Sequence, residues 1–467
     1  MLATYPRQTD PRTGADRTTD SGAAKLAPSI YVVFALLISA YFFSYFFRVS
    51  ASVVLPHFAL EWRMSSALTG FISSLYFYAY AVMQPVSGAL NDRFGPLRVV
   101  AVGLLIAGAG ALMFAFATHP AQLAAGRILF GLGLAPMLSG ALVYQADCFP
   151  PDRYAFFSGL TYAIGNLGSV ASVAPLGAAI DAWGSRPVFL TLVVLTVALS
   201  ASLCMMRRHD PRYGRTLQCR GRAGSAGNTG GSGHSDDSGH SDDSGRLGNS
   251  GGLLSQLTEA FGKIVQSVQL RSMSAIWTIS FGALMSLQGL WAVTWAEVAY
   301  GASGASARAW ATMIGIGVMA GNWIGAQVAG PSSMRRSAIS VSSLFYASFW
   351  AALWLGMWAR WPMAATGMIG LLLGVSAGVC YTHLTAGVND VAARGRGGAL
   401  FGAMNMLTFT CVILFQWGTG VLLSRFSGAT AGAYAPEAFL RIFGMVGTIV
   451  LASQLALLTL RGFDPES

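Results

Sequence analysis

Apolar runs of 20 or more residues recur along almost the whole of this chain, and no other feature limits its fold as strongly. A bilayer core takes about 20 apolar residues per helix. A soluble chain would carry roughly a quarter of its residues as charged side chains. Here charged residues make up 10% of 467 and apolar ones 54%. The expected fold is therefore an all-α membrane protein with twelve transmembrane helices. The first six candidate spans cover 30–56, 67–90, 97–118, 122–149, 154–180 and 187–206. The second six cover 272–297, 307–329, 337–359, 362–388, 397–423 and 436–460.

The net charge of +10 is explained by its placement. With the N-terminus inside, 21 Lys and Arg fall on cytoplasmic segments and six on external ones, while Arg48 and Arg127 lie within spans. That asymmetry follows the positive-inside rule, fixes both termini as cytoplasmic, and removes nucleic acid as a partner. The partners expected are membrane lipid and a small molecule. The Ala-, Gly- and Arg-rich composition points to a bacterial inner membrane.

Between the halves, 207–252 is rich in Gly and Ser and repeats itself in "GHSDDSGHSDDS" (233–244). Such a segment buries no core, so it reads as a flexible cytoplasmic linker. Its two His residues suit a solvated spacer better than a metal site. In 253–271, Leu253, Leu257, Phe261, Ile264 and Val268 recur at helical spacing, which predicts an amphipathic helix on the membrane surface. The remaining units are tails at 1–29 and 461–467 and six-helix bundles at 30–206 and 272–460. Cys148, Cys204, Cys219, Cys380 and Cys411 are scattered without ligand spacing, so neither disulfide nor metal is expected. No cofactor motif is present.

After span two comes "GALNDRFGPLR" (88–98). Glycines permit its tight turn, and an acid there can face a helix N-terminus. With Gly88, Leu90, Asp92, Arg93, Gly95 and Arg98 in place, it resembles the hallmark loop of the major facilitator superfamily. "GAQVAGPSSMRR" (325–336), after span eight, is a weakened copy. The resemblance covers about 30–460. It implies two six-helix bundles related by pseudo-two-fold symmetry, working by alternating access, with the loop latching the halves in the outward-facing state. It also implies a monomer and no enzymatic activity.

A narrower resemblance is to the anion:cation symporters, organic anion transporters of the same superfamily. It rests on "FFRVSASVVLP" in span one, "GRILFGLGLAPML" in span four and "YAVMQPVSGAL" in span two, and so on Arg48, Arg127, Tyr80 and Gln84. Two positions depart from it. The family's helix-one acid is Phe47 here, and the glutamate many members carry in helix four is Leu134. Both acids are candidate proton carriers in that family.

Arg48 shares one helix face with Tyr41, Ser44, Tyr45 and Ser52, and span two repeats the pattern with Ser73, Tyr76, Tyr80 and Gln84. Two polar stripes in adjacent spans point to a shared wet cavity. At 1.5 Å per residue, Arg48 lies about 12 Å and Arg127 about 10 Å from the outer ends of their spans. A deep arginine costs about 2.5–3.5 kcal/mol and normally takes a partner. Spans one to six hold no deep acid, so an anion is the natural partner, gripped by bidentate hydrogen bonds. Arg127 also fits a structural role, bonding helix carbonyls.

Asn166, Gln288, His383 and Asn405 are further cavity candidates, each equally suited to a helix–helix hydrogen bond. For a co-transported proton or cation, His383 is the first candidate because it titrates near neutrality, and Glu297 the second. Without a proton carrier, facilitated diffusion or anion exchange fits instead. "GVSAG" (374–378) matches a hydrolase pattern, but Ser376 lies inside a span and not on a strand–turn–helix elbow. There is no nucleotide-binding P-loop. The Gly-Pro of an antiporter helix five is displaced to Ala174-Pro175. The expected function is transport of a small organic anion, a carboxylate or sugar acid. The alternatives are a drug or metabolite exporter and a transport-inactive scaffold or sensor.

Overall fold

The computed structural model describes residues 28–209, 250–328, 332–391, 397–427 and 434–460. Both tails, most of the linker with its repeat, Cys219 and the side chain of Asp92 lie outside the described residues. Among the described residues, ten helices are long and apolar enough to cross a membrane, and Phe156–Ala171 with Ala174–Trp183, bent by 40°, makes an eleventh. Gly304–Gln327, which carries Arg308 and Asn322 among its glycines, takes the twelfth place.

Four spans are broken near mid-length. Span one runs Pro28–Val49 and Ala51–Glu61, and span four Pro120–Leu134 and Pro136–Cys148. Span five runs Pro151–Ala171 and Ala174–Trp183. Span seven runs Val268–Ser286, a π-helical turn Leu287–Trp291, and Ala292–Tyr300. The others are Ser66–Phe94, Pro96–Ala115, Ser185–Met205, Gly304–Gln327, Ser332–Trp358, Met363–Val391, Gly397–Phe426 and Pro436–Ser453.

Local chemistry sets several of these bounds. Ser65 Oγ accepts from Leu68 N at 3.2 Å to open span two, and His119 with Gln122 forms a capping box for span four. Gly95, at φ +81°, turns the chain between spans two and three, a conformation that favours glycine. The helix expected on the membrane surface is Ser250–Gln266 and so ends before the expected residue 271. Ser267 stops it by capping a new helix through Leu270 N, and span seven begins at Val268 instead of 272. Ala260 and Ile264 of the Ser250–Gln266 helix are buried, packed toward span eleven.

Packing partners repeat under a shift of six spans. Span one packs on five as seven does on eleven; two on four as eight on ten; three on six as nine on twelve. The contacts between halves obey the same rule, because two meets eleven and five meets eight. This is the pseudo-two-fold layout of two six-helix bundles. Large apolar side chains such as Val82, Val102, Val194, Phe345, Leu414 and Leu455 stay exposed on the outer surface, where lipid would cover them.

The halves touch closely at the end away from the 88–98 loop. There a Cβ on Gly70 would sit 2.6 Å from Gln416 O, and one on Gly420 would sit 2.5 Å from Ser66 O. Only glycine lets these two backbones come so near.

Candidate substrate site

The breaks in spans one, four, five and seven are buried, as at Ser50, Ala135, Ser172 and Leu287, and irregular backbone at membrane depth is tolerated only where it lines a cavity or is buried in protein. Arg48 stands in the last turn before the break in span one, 3% exposed. Its guanidinium carbon lies 4.5 Å from the Tyr45 ring, 4.9 Å from Tyr80, 5.6 Å from Phe409 and 5.8 Å from Tyr76. These rings attract the cation through their quadrupoles. They offer no bidentate acceptor, and Arg48 Nε is buried without a hydrogen-bond partner. Among the described residues no carboxylate pairs with Arg48.

Arg127 is used differently. Its Nη1 donates to Phe47 O at 2.7 Å and its Nη2 to Ser73 O at 2.8 Å, and its guanidinium carbon lies 5.0 Å from the Tyr76 ring. It thus pins span four to the carbonyls of spans one and two just before the break at Ser50. Span four comes near enough for this because a Cβ on Gly131 would lie 2.3 Å from Tyr76 O. Nε is unbonded in both deep arginines, but Arg127 spends both Nη donors on backbone carbonyls, whereas Arg48 meets only rings and the Tyr80 hydroxyl.

The positions that depart from the anion-transporter pattern are apolar in space as well. Phe47 stacks on Phe130 with centroids 4.2 Å apart, and Leu134 is fully buried. Tyr76 is held by its hydroxyl, which donates to Ser44 O at 3.2 Å. Tyr41 packs edge-on to Tyr45 at 5.3 Å and fills the groove left by Gly165.

The other candidates are dispersed. Asn166 donates to Tyr162 O in its own helix at 2.9 Å. Gln288 sits in the π-helical turn, where a Cβ on Gly315 would be 2.9 Å from its Nε2 and 3.6 Å from Ser169 Oγ. Asn405 lies one helical turn before Phe409 and shares its face. His383 is buried with Nε2 unpartnered, and the charge that acts on it is Arg335, which pairs with Asp390 at 2.9 Å. Glu297 lies at the opposite end, beside Arg308.

In the loop, Asn91 Nδ2 donates to Ser139 Oγ at 2.9 Å and Arg93 lies over the Phe94 ring at 5.2 Å. Gly88 has open space where a Cβ would be, so this conformation does not require glycine there.

Four contributors, all in the second half, carried no role in the sequence reading. Phe409 closes the ring cage. Phe281 joins it at 6.2 Å and also meets Tyr381 at 5.5 Å, whose hydroxyl is buried without a partner. Gln416 is wholly buried, accepts from Ser73 Oγ at 2.9 Å and donates to Met285 O at 3.0 Å, tying span two to spans seven and eleven. A polar residue in an apolar span, as in "LFQWGTG", was the available signal for Gln416.

A family model for the Major Facilitator Superfamily matches residues 37–416. The chain belongs to the major facilitator superfamily. Among curated proteins, this member is 28% identical over 184 residues to a probable sulfoacetate transporter of Cupriavidus necator, covering 39% of this chain and 42% of that one. It is 32% identical over 112 residues to a bacillibactin exporter of Bacillus subtilis, 23% of this chain and 28% of that one. A hexuronate transporter of Bacillus subtilis is 26% identical over 156 residues, 32% and 36% of the two chains. The chain thus spans less than half the length of these curated relatives. Among solved structures, a bacterial homologue of the human lysosomal transporter Spinster, inward-facing and unoccupied, aligns at a TM-score of 0.68 and 15% identity. That alignment covers 93% of this chain and 98% of the other. It is a likeness of fold.

Proposed function

We propose that this superfamily member carries a small organic anion, a carboxylate or sulfonate of sugar-acid size, across a bacterial inner membrane by alternating access. Both termini and the 88–98 loop face the cytoplasm in this reading, so the glycine-sealed end is external. One observation carries the proposal: Arg48 is buried at the meeting of the halves, with Nε unbonded and, among the described residues, no carboxylate paired with it. An arginine so placed is completed by an anion that its planar fork can grip. The relatives named for sulfoacetate and hexuronate transport support the same class of cargo.

Phe47 and Leu134 leave no acid beside Arg48, so the anion itself supplies the counter-charge. Flux by facilitated diffusion or anion exchange follows from that charge balance. The second reading, an exporter of drugs or metabolites, is favoured by the aromatic lining of the cage and by the bacillibactin exporter among the relatives.

The test is thermal stability of the purified protein with small carboxylates, sulfonates, sugar acids and neutral analogues, for wild type and Arg48→Ala. A ligand at 100 times its dissociation constant stabilises by about 2.7 kcal/mol. The expected outcome is a rise with one anion class that the variant lacks. Equal rises in both proteins, or a response to neutral amphiphiles alone, would overturn the anion reading in favour of the exporter.

A further inference from the structure

The external end holds a charge cluster that the anion site does not use. Arg308, in the second turn of span eight, is 8% exposed and donates through Nη2 to Asp181 Oδ2, near the end of span five in the opposite half. Its side chain runs over Gly177, one turn before Asp181. A Cβ there would lie 2.0 Å from Arg308 Cδ and 2.3 Å from Nε, so the missing side chain makes the slot. A second acid, Glu297, reaches the cluster from span seven, in the same half as Arg308. A Cβ on Gly304 would lie 3.0 Å from Arg308 Nη1 and 3.5 Å from Glu297 Oε1. Glu297 therefore flanks the guanidinium, which is paired to Asp181. Arg186, five residues beyond Asp181, is turned onto the Phe116 ring at 4.6 Å and takes no part.

We propose that Arg308 is a two-position switch that sets which way the carrier faces. It bonds Asp181 across the halves when the external end is closed, and Glu297 within its own half when that end opens. Parting the halves removes Asp181 from a guanidinium that is almost wholly buried. Opening therefore gives up both the ion pair and the slot over Gly177, a loss that opposes opening unless the guanidinium gains a second partner. Glu297 supplies the second partner, so opening exchanges one ion pair for another. The two acids then act on the same equilibrium with opposite signs, Asp181 for closure and Glu297 for opening.

The test measures distances between spin labels on Leu60→Cys and Glu437→Cys, exposed at the external end of the first and second halves, with the native cysteines replaced. It uses the full chain in lipid nanodiscs without substrate, so its outcome is independent of the anion reading. Asp181→Asn is expected to raise the population with separated ends roughly two- to fivefold, as suits a part-exposed ion pair. Gly177→Ala, which evicts Arg308 from its slot, is expected to move it the same way. Glu297→Gln is expected to lower that population by a similar factor. All three should elute as monodisperse protein. Asp181→Asn and Glu297→Gln shifting the distances in the same direction, or neither shifting them, would overturn the switch.

Discussion

The two halves share one packing plan yet contribute unlike chemistry to the centre. The first half supplies the charge: Arg48, Arg127 and the tyrosines of spans one and two. The second supplies a wall of rings, Phe281, Phe409 and Tyr381, and the amide of Gln416 that reaches back to Ser73. Affinity for an anion should therefore reside in the first half. The second half should report that the site is filled, by closing over it. In the proposed alternating access this division suits the task, because a ligand shifts the equilibrium only through contacts that differ between the two states.

The comparison can be broken most forcefully at Arg127. Arg127→Ala removes two charge-assisted hydrogen bonds, about 3 kcal/mol or more in a buried site, so thermal stability without ligand should fall clearly. Arg127→Lys, which cannot fork to both carbonyls, should recover only part. Unchanged stability with lost anion binding would make Arg127 a ligand and double the charge at the site.

Arg48→Lys keeps the charge but loses the planar fork, and should weaken anion binding about tenfold, or ~1.4 kcal/mol, in calorimetric titration. Equal affinity in the lysine variant would mean that charge alone holds the anion.

A smaller effect tests the second half. Tyr381→Phe removes one unpartnered hydroxyl, worth about 1 kcal/mol if it meets substrate during closure. Transport into proteoliposomes should slow about fivefold while equilibrium affinity changes less than twofold. A loss confined to affinity would place binding in both halves alike.

The least change is expected from His383→Gln, since His383 takes no part in the ring cage around Arg48. Uptake should respond to an imposed pH gradient as in wild type. A strong stimulation by the gradient in wild type that the variant lacks would give His383 the coupling role and make the carrier a proton symporter.

Much of this was legible in the chain. Helix count follows from apolar runs, because hydrocarbon forces each span to satisfy its own backbone. Arg48 and its tyrosine stripe were visible because helical periodicity is a local property, fixed by neighbours three and four residues away. Arg127 shows where that legibility stops. Its depth could be counted along the helix, but the fate of its donors depended on which carbonyls span four meets. Gly131 decides that by letting span two approach.

Glu297 stood in the sequence as a candidate proton carrier, and Arg308 was only one positive charge among the external ones. Their common cluster with Asp181 arises from packing spans five, seven and eight together. Likewise Gln416 bonds Ser73 across a separation of 343 residues, which no local pattern can register. The sequence by itself determined the number of spans, their polarity pattern and the presence of one costly cation in the first. Only the tertiary structure decided which buried donors were already spent and which remained for a ligand. Hydrophobic periodicity states how deep a residue lies and which way its helix faces, whereas a hydrogen bond is settled by the close approach of another backbone.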